Sequence, residues 1–334
     1  MVSIKTIEKE SNRSILPRNV LRVNLSGEDI NSSVINTLRR LSIALVPSYA
    51  FHPQDITIEK NTSVFNNDQM KLRLSNMPLV KPVHDIDKEV KDILDIELAA
   101  LMANSESKKE FIEIELERET RKTELMKNLH MFVEAKNTTS DIMSVTTEDA
   151  YTKFYIDDKK IANIYKNPVL IIQLKPGEEF KCVCVASRDI HMRHNIYSPC
   201  ANVRYEEMKE TEFELRMESY GQIPEKDILV MACNIFLIKL ANVKQRIDGM
   251  LKKDVMDVEL TIENENYTMG NILVRTIQDH PNVSFCGLKI DNPFENNIVI
   301  RCVSQKQPVI QVIGECTDKL NKLFTTFISA FEKI

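Results

Sequence analysis

Glycine is scarce in this chain. Seven stand among 334 residues (Gly27, Gly177, Gly221, Gly249, Gly270, Gly287 and Gly314), and no two lie within ten residues of each other. A P-loop needs two glycines five apart, so that backbone N–H groups can crowd around phosphate. A dinucleotide fingerprint needs three within six residues. Both patterns are absent, which excludes nucleotide-dependent enzymes of those classes. A run of about 18 apolar residues is also missing, so no membrane-spanning helix is expected. Met1 to Arg18 is polar and mixed in charge, without the apolar core of a secretion signal. There is no basic excess either: 44 Lys+Arg against 49 Asp+Glu give a net charge of −5. A chain gripping nucleic acid by its backbone carries the opposite balance, so any role at nucleic acid is indirect or local.

Carboxylates do not cluster as metal-dependent phosphoryl chemistry requires. The nearest candidates, Asp85-Ile86-Asp87 and Asp157-Asp158, read as solvated turn charges. No Gly-x-Ser-x-Gly elbow is present. The seven cysteines (Cys182, Cys184, Cys200, Cys233, Cys286, Cys302 and Cys316) are odd in number and sit mostly in apolar runs. That fits reduced thiols in a cytosolic or nuclear compartment better than a disulfide framework. Its 334 residues are enough for two or three domains, and 43% hydrophobic with 28% charged residues is ordinary for a soluble globular protein.

Val20 to Leu25 alternates as a strand. After a turn at Ser26-Gly27, Glu28 or Asp29 can cap a helix whose stripe is Ile30, Val34, Leu38, Leu41 and Leu45, ended by Pro47. Asp55 to Phe65 reads as strand, and a short segment, Asp68 to Ser75, leads to Met77-Pro78-Leu79. Beyond it, Asp87–Ala103 reads as helix, Phe111–Leu116 and Leu129–Ala135 as strands, and Glu117–Lys127 as a solvated charged stretch. Val169–Leu174 and Phe180–Ala186, joined by Pro176-Gly177, read as a hairpin-like pair. Val203–Glu207 and Glu212–Glu218 are strand-like, and Pro224 with an acidic start opens a long helix to about Arg246. The order then repeats: strand Val255–Ile262, helix Tyr267–Asp279, strands Val283–Ile290 and Ile298–Val303, and a long helix from about Pro308 to Lys333.

Each half therefore runs strand, helix, strands, long amphipathic helix. Val34-Ile35-Asn36-Thr37-Leu38-Arg39 can be laid over Met269-Gly270-Asn271-Ile272-Leu273 and then Arg275. Each long helix has an apolar face wider than a small sheet covers. Packing of the halves on each other with pseudo-twofold symmetry satisfies both; chance likeness of two α/β units is the other reading.

The first half resembles the alpha-like family of RNA polymerase subunits, which includes the bacterial alpha N-terminal domain, its archaeal D-type counterpart and the third-largest subunit of polymerase II. The residues that carry this are Asn36-Thr37-Leu38-Arg39-Arg40, Met77-Pro78-Leu79, Leu174-Lys175-Pro176-Gly177-Glu178 and Glu218 to Pro224. His194-Asn195-Ile196-Tyr197-Ser198-Pro199 is similar to the family's His-Ala-Lys-Trp-x-Pro, with Tyr197 in the Trp place. The second half resembles the archaeal L-type subunit and the eleventh subunit of polymerase II, through Glu263 to Asn271 (the family's Glu-x-His-Thr-Leu-Gly-Asn), Val283 to Gly287 and Asp291-Asn292-Pro293-Phe294. A fused pair is similar to polymerase subunits of large cytoplasmic DNA viruses.

The resemblance implies an α+β fold of two alpha-like dimerisation modules forming an intramolecular pseudo-dimer, with an inserted mainly-β domain. The expected division is 1–79 plus 186–250 for the first module, 80–185 for the insert and 251–334 for the second module. It implies a non-catalytic assembly subunit of a DNA-directed RNA polymerase. Its partners would be the two largest catalytic subunits and small subunits, with DNA reached only through the complex, no membrane and no homodimer. Neither cofactor nor metal is expected. A viral chain would work in the host cytoplasm and enter the virion, and any other in the nucleus.

Among single residues, Arg39 and Arg40 are either solvated cations or contacts to a large subunit; the resemblance implies contacts, as it does for His194, Tyr197 and Pro199. Asn36, Leu38, Gly270, Asn271, Pro293 and Phe294 are its motif positions. Ile228, Ile235 and Ile238 of one long helix and Leu320, Phe324, Phe327 and Phe331 of the other are expected at the seam between modules. His191, His194 and Cys200 form only a weak zinc pattern and read as structural or interface residues. Cys182 and Cys184 share a strand face and read as core thiols. Relatives carry zinc-binding cysteines in the insert, whereas residues 80 to 181 contain none.

Overall fold

The computed structural model describes residues 3–11, 19–79, 129–156, 159–165, 167–250, 254–290 and 297–334. The elements expected at 87–103, 111–116 and 117–127, the pairs Asp85/Asp87 and Asp157/Asp158, and the motif residues Pro293 and Phe294 lie outside them.

The first module is built from β1 (Ser3–Ser11), β2 (Asn19–Ser26), α1 (Ser32–Ala44), β10 (Cys200–Lys209), β11 (Glu212–Ser219) and α3 (Glu225–Met250). Its sheet order is β1-β2-β11-β10, antiparallel throughout. The second module is built from β12 (Asp257–Glu263), α4 (Tyr267–Gln278), β13 (Val283–Lys289), β14 (Asn297–Ser304) and α5 (Val309–Phe331), with sheet order β12-β14-β13. In both, the strand preceding the short helix pairs with the strand preceding the long helix, and the remaining strand lies outside that one. The internal repeat read from element order is a repeat of topology; β1 is an addition on the free edge of β2.

The helices form for local reasons. Asn31 caps α1 by accepting a hydrogen bond from Val34 N. Glu28 and Asp29, the caps expected from sequence, instead sit in a turn closed by Ile30 N donating to Gly27 O at 3.0 Å. An asparagine amide suits this position because its oxygen reaches the second or third N–H of the helix. Asn266 caps α4 in the same way, accepting from Thr268 N. The acidic first turn of α3, Glu225 and Asp227, favours the positive helix end, and that helix runs to Met250 instead of stopping near Arg246. In α5, Val312, Ile313, Cys316, Leu320, Leu323, Phe324, Phe327 and Phe331 are all buried, one stripe at helical spacing.

A single core joins both modules: Leu38 and Leu41 of α1, Ile235 and Phe236 of α3, Ile272 of α4 and Phe324 of α5 belong to one cluster. A second core lies in the insert. It is built on the five-stranded sheet β3 (Ser48–Asn61), β9 (Glu179–Asp189), β4 (His130–Lys136), β6 (Thr152–Ile156) and β7 (Lys159–Ile161), in that order. Helix α2 (Asn67–Ser75) contributes Met70 and Leu74 to it. Residues 48–79, grouped with the first module on sequence, thus bury their apolar side chains in the insert.

The expected hairpin is a correction. The Pro176-Gly177 turn does join β8 (Leu170–Leu174) to β9, with Gly177 at φ 82°. The two strands then part: β8 pairs with β5 (Met143–Thr146), whereas β3 and β4 occupy both edges of β9. A strand with both edges filled has no place for its sequence neighbour.

The two cores are tied at the strand junction. Ser48 Oγ donates to Tyr197 O at 2.7 Å, and Tyr197 Oη and Ser187 Oγ lie 2.7 Å apart. Gln222 Nε2 donates to Tyr49 O at 3.3 Å.

Candidate functional site

The residues singled out from sequence fall into three places. The first is the contact between the long helices. Ile228, Ile235, Leu320, Phe324, Phe327 and Phe331 are all buried, and Ile238 is half-buried against the same core. The centre of the contact is Phe236, which is not among the residues expected at the seam. Its ring stacks on Phe324 with centroids 3.9 Å apart and 25° between planes. Phe324 meets Phe327 at 5.5 Å, and Phe327 meets Phe331 at 6.0 Å. The spacing Ile228, Ala232, Ile235, Phe236, Leu240 puts Phe236 on the buried stripe, so the helical period was signal enough. Burying one such ring contributes roughly 2 kcal/mol. Charged pairs flank the rings. Lys239 meets Glu265 at 3.0 Å, and Glu265 is only 5% exposed. Lys244 reaches Asp318, and Lys319 reaches Asp29, both at 2.7 Å. Arg246 Nη1 donates to Glu263 O at 2.8 Å.

The second place is a cleft of about 150 Å³ between α1 and α4. Counting from the two capping asparagines, Asn31 and Asn266, Asn36 and Asn271 occupy equal positions, as do Ser33 and Thr268, and Ser32 and Tyr267. All six line the cleft, together with Thr37, Arg40 and Tyr205. Thr37 Oγ1 donates to Thr268 O at 3.4 Å and holds the helices together. Arg39 is engaged within α1: its Nε and Nη2 donate to Asn36 Oδ1 at 3.1 and 2.9 Å. Arg40 is exposed. Leu38, on the opposite face of α1, is fully buried. Gly270 faces the tips of sheet side chains: a Cβ there would stand 2.7 Å from Leu288 Cδ1 and 3.2 Å from Ile298 Cδ1.

The third place is the 3₁₀ turn Asn195–Tyr197. His194 caps it and is exposed; its ring meets His52 edge-on at 5.1 Å. Tyr197 and Pro199, expected at a subunit contact, are buried within the chain, Tyr197 to 1% exposure. The reason is the hydrogen-bonded junction described above, and the same burial pushes the Tyr197 hydroxyl up from its ordinary range. Cys200 is buried, while His194 faces solvent. Among the described residues no three His, Cys, Asp or Glu side chains gather at metal-binding distance.

All seven cysteines are free and buried. Burial, then the nearby Glu225 carboxylate, pushes the Cys200 thiol up to about 12. Burial likewise pushes Cys316 up to about 12. A thiol that keeps its proton at neutral pH is a poor nucleophile. Among the described helices none is long and apolar enough to cross a membrane.

Two α+β modules of one topology, joined through their long helices, define an intramolecular dimer of dimerisation modules. The chain belongs to the family of the RNA polymerase Rpb3/Rpb11 dimerisation domain: one model of that description matches residues 22–240 and another residues 257–330. A protein of Acanthamoeba polyphaga mimivirus assigned as a DNA-directed RNA polymerase subunit is 25% identical over 338 residues, 97% of this chain and 92% of that one. Subunit 3B of DNA-directed RNA polymerases IV and V of Arabidopsis thaliana is 26% identical over 181 residues, 52% of this chain and 49% of that one. Subunit RPAC2 of DNA-directed RNA polymerases I and III of Drosophila melanogaster is 34% identical over 70 residues, 21% of this chain and 67% of that one. The relatives are RNA polymerase subunits, in agreement with the resemblance read from the motifs.

Proposed function

We propose that this chain is a non-catalytic assembly subunit of a DNA-directed RNA polymerase, a preformed pseudo-dimer on which the two large catalytic subunits and small subunits gather. The observation that carries this is the seam itself: two modules of equal topology, with Phe236 of one stacked on Phe324 of the other. Having both in one polypeptide makes their association intramolecular, so no free partner concentration is needed. The buried faces of α3 and α5 are already satisfied by each other, which leaves no driving force for homodimerisation. The surface offered to large subunits runs along the exposed side of α1 and α4, with Arg40 and Asn271, and His194 marks a second contact. DNA is reached only through the complex, and the net charge of −5 accords with that. The mimivirus relative supports work in the host cytoplasm; carriage in the virion is a further part of the proposal.

The test is a tagged pull-down from producing cells, with mass spectrometry and a transcription assay on the eluate. Two very large subunits and DNA-dependent RNA synthesis, absent from the isolated chain, are expected. Recovery of a folded monomer alone would refute the reading. The double variant Arg39→Glu with Arg40→Glu should abolish recovery of the large subunits; unchanged recovery would remove both arginines from the contact.

A further inference from the structure

Two of the seven thiols face each other. Cys286 of β13 and Cys302 of β14 are direct partners in the antiparallel register, both buried in the core of the second module. Directly opposed residues of such a pair have Cα atoms about 4.5 or 5.5 Å apart. A disulfide spans about 4.4–6.8 Å between Cα atoms, so both spacings suit it. The Cβ atoms of such a pair stand about 4.5–5.5 Å apart, and a disulfide draws them in by about 1 Å. The outer strand of the order β12-β14-β13 is β13, which has one edge free to give way. The sulfurs already interact. A hydrogen bond from Cys286 holds the Cys302 thiol below its ordinary range and pushes Cys286 above it, so Cys302 is the one that ionises first. The other five thiols lack this arrangement. Cys182 and Cys184 lie two apart on β9, about 6.6 Å along an extended strand, near the upper limit for a disulfide. The strands β3 and β4 hold β9 on both edges. Cys200 and Cys316 donate to the backbone oxygens of Ser42 and Thr276, each at 3.6 Å. Cys233 is fully buried in α3.

We propose that Cys286 and Cys302 are an oxidation site, forming a reversible disulfide that fastens β13 to β14 when hydrogen peroxide reaches the chain. Both thiols are buried, so oxidation waits for local detachment of the outer strand, which is easier than global unfolding and exposes the pair together. The reaction is therefore slow. The Cys302 thiolate attacks one peroxide oxygen, the O–O bond breaks, and the departing hydroxide takes up the thiol proton as water. The Cys286 sulfur then attacks the sulfenic acid formed on Cys302. The S–S bond forms, the S–O bond breaks, and the hydroxyl leaves with the Cys286 proton as a second water. Two electrons pass from the sulfurs to the peroxide. A thiol such as glutathione reverses the link by exchange. The bond closes residues 287–301 into a loop. It also braces the helices beside it: Gln278 Nε2 at the end of α4 donates to Cys286 O at 2.8 Å, and β14 leads directly into α5.

Two arms test this. In the first, the reduced full chain is held overnight in hydrogen peroxide, its remaining thiols are alkylated, and it is digested with trypsin without reductant. Cleavage after Arg275, Lys289, Arg301 and Lys306 puts the two cysteines on separate peptides, Thr276 to Lys289 and Cys302 to Lys306. Mass spectrometry should find these two joined, two hydrogens lighter than their sum, and separated again by dithiothreitol. The same oxidation in urea should scatter links over several pairs, because the native register selects this one. No link in the native chain, a link through Cys316, links between chains, or sulfinic acid on either cysteine in place of the bond overturns the proposal. In the second arm, oxidised and reduced chains are melted side by side. The oxidised wild type should melt roughly 5 °C higher, and dithiothreitol should remove the difference. Cys286→Ala and, separately, Cys302→Ala should show no difference between the two states. A linked wild type that melts no higher than the reduced chain overturns the fastening of β13, and the wild-type comparison stands even where a variant folds poorly.

Discussion

Phe236 and Phe324 stand ring on ring at 3.9 Å, one from each module's long helix. They make one core out of two sequence-distant halves, and Phe327 and Phe331 extend the stack. Truncating either ring leaves a cavity that helices fixed along their whole length cannot close. Phe236→Ala and Phe324→Ala should each cost about 3–5 kcal/mol, read as a lowered midpoint in urea. Phe327→Asp, which buries a charge, should prevent folding altogether. A loss below about 1 kcal/mol for Phe324→Ala, within the range of ordinary surface changes, would mean that the seam is not where the modules are held.

Gly270 tests the packing of α4 in a graded way. The atoms its missing Cβ would meet are the tips of Leu288 and Ile298, which can rotate aside. Alanine also gains roughly 1 kcal/mol of helix propensity over glycine. Gly270→Ala should therefore fall within about 1 kcal/mol of the wild type, whereas Gly270→Leu should lose about 1–3 kcal/mol by overpacking. Equal stability of both variants would show that the sheet does not press on this helix.

Three carboxylates, Glu179 and Glu212 half-buried and Glu315 exposed, contribute to the acid limit. Glu179 is held below its ordinary 4.5 first by a hydrogen bond from Lys60. Glu212 is lowered first by Asn24 and then Lys209, and Glu315 first by His280 and then Gln307. A carboxylate whose folded value is depressed stabilises the fold above its unfolded value. That contribution is lost as pH falls through the folded value. Thermal melts should be flat near neutrality and decline below about pH 4.5. Glu315→Gln should lower the neutral melt slightly, leave the acid end unchanged and so shrink the decline; an unaltered acid profile would count against the His280 pairing.

Thiol chemistry separates a scaffold from a thiol enzyme. With all seven cysteines buried, the native chain should show no fast-reacting thiol toward a disulfide reagent at pH 7, and seven after unfolding in urea. One thiol reacting within seconds in the native chain would revive a nucleophilic role.

How much was legible in the sequence differs by element. The stripes of α1 and α5 announced themselves because their apolar residues recur at helical spacing, and each buries one face. The order of elements revealed the repeat although few residues match, since topology needs only pattern. The insert was harder to read. Periodicity could find β8 and β9 but could not tell whether adjacent strands pair, because pairing depends on β3 and β4, far away in sequence. Tyr197 misled for a related reason: a motif position shared with relatives reads as a contact, yet its hydroxyl is spent on Ser187 inside the chain. The cleft was half legible. Asn36, Arg40 and Asn271 stood out by motif, whereas Thr268 and Tyr205 acquire meaning only when α1 and α4 are brought together.

The short link between Met250 of α3 and Asp257 of β12 has a consequence for how the cell, or a virus in it, makes this component. Two halves translated as one product appear in a fixed ratio of one to one, whatever the level of expression. No unpaired half is left to stick to itself or to be cleared by proteases. Each half has its mate within reach in the same chain.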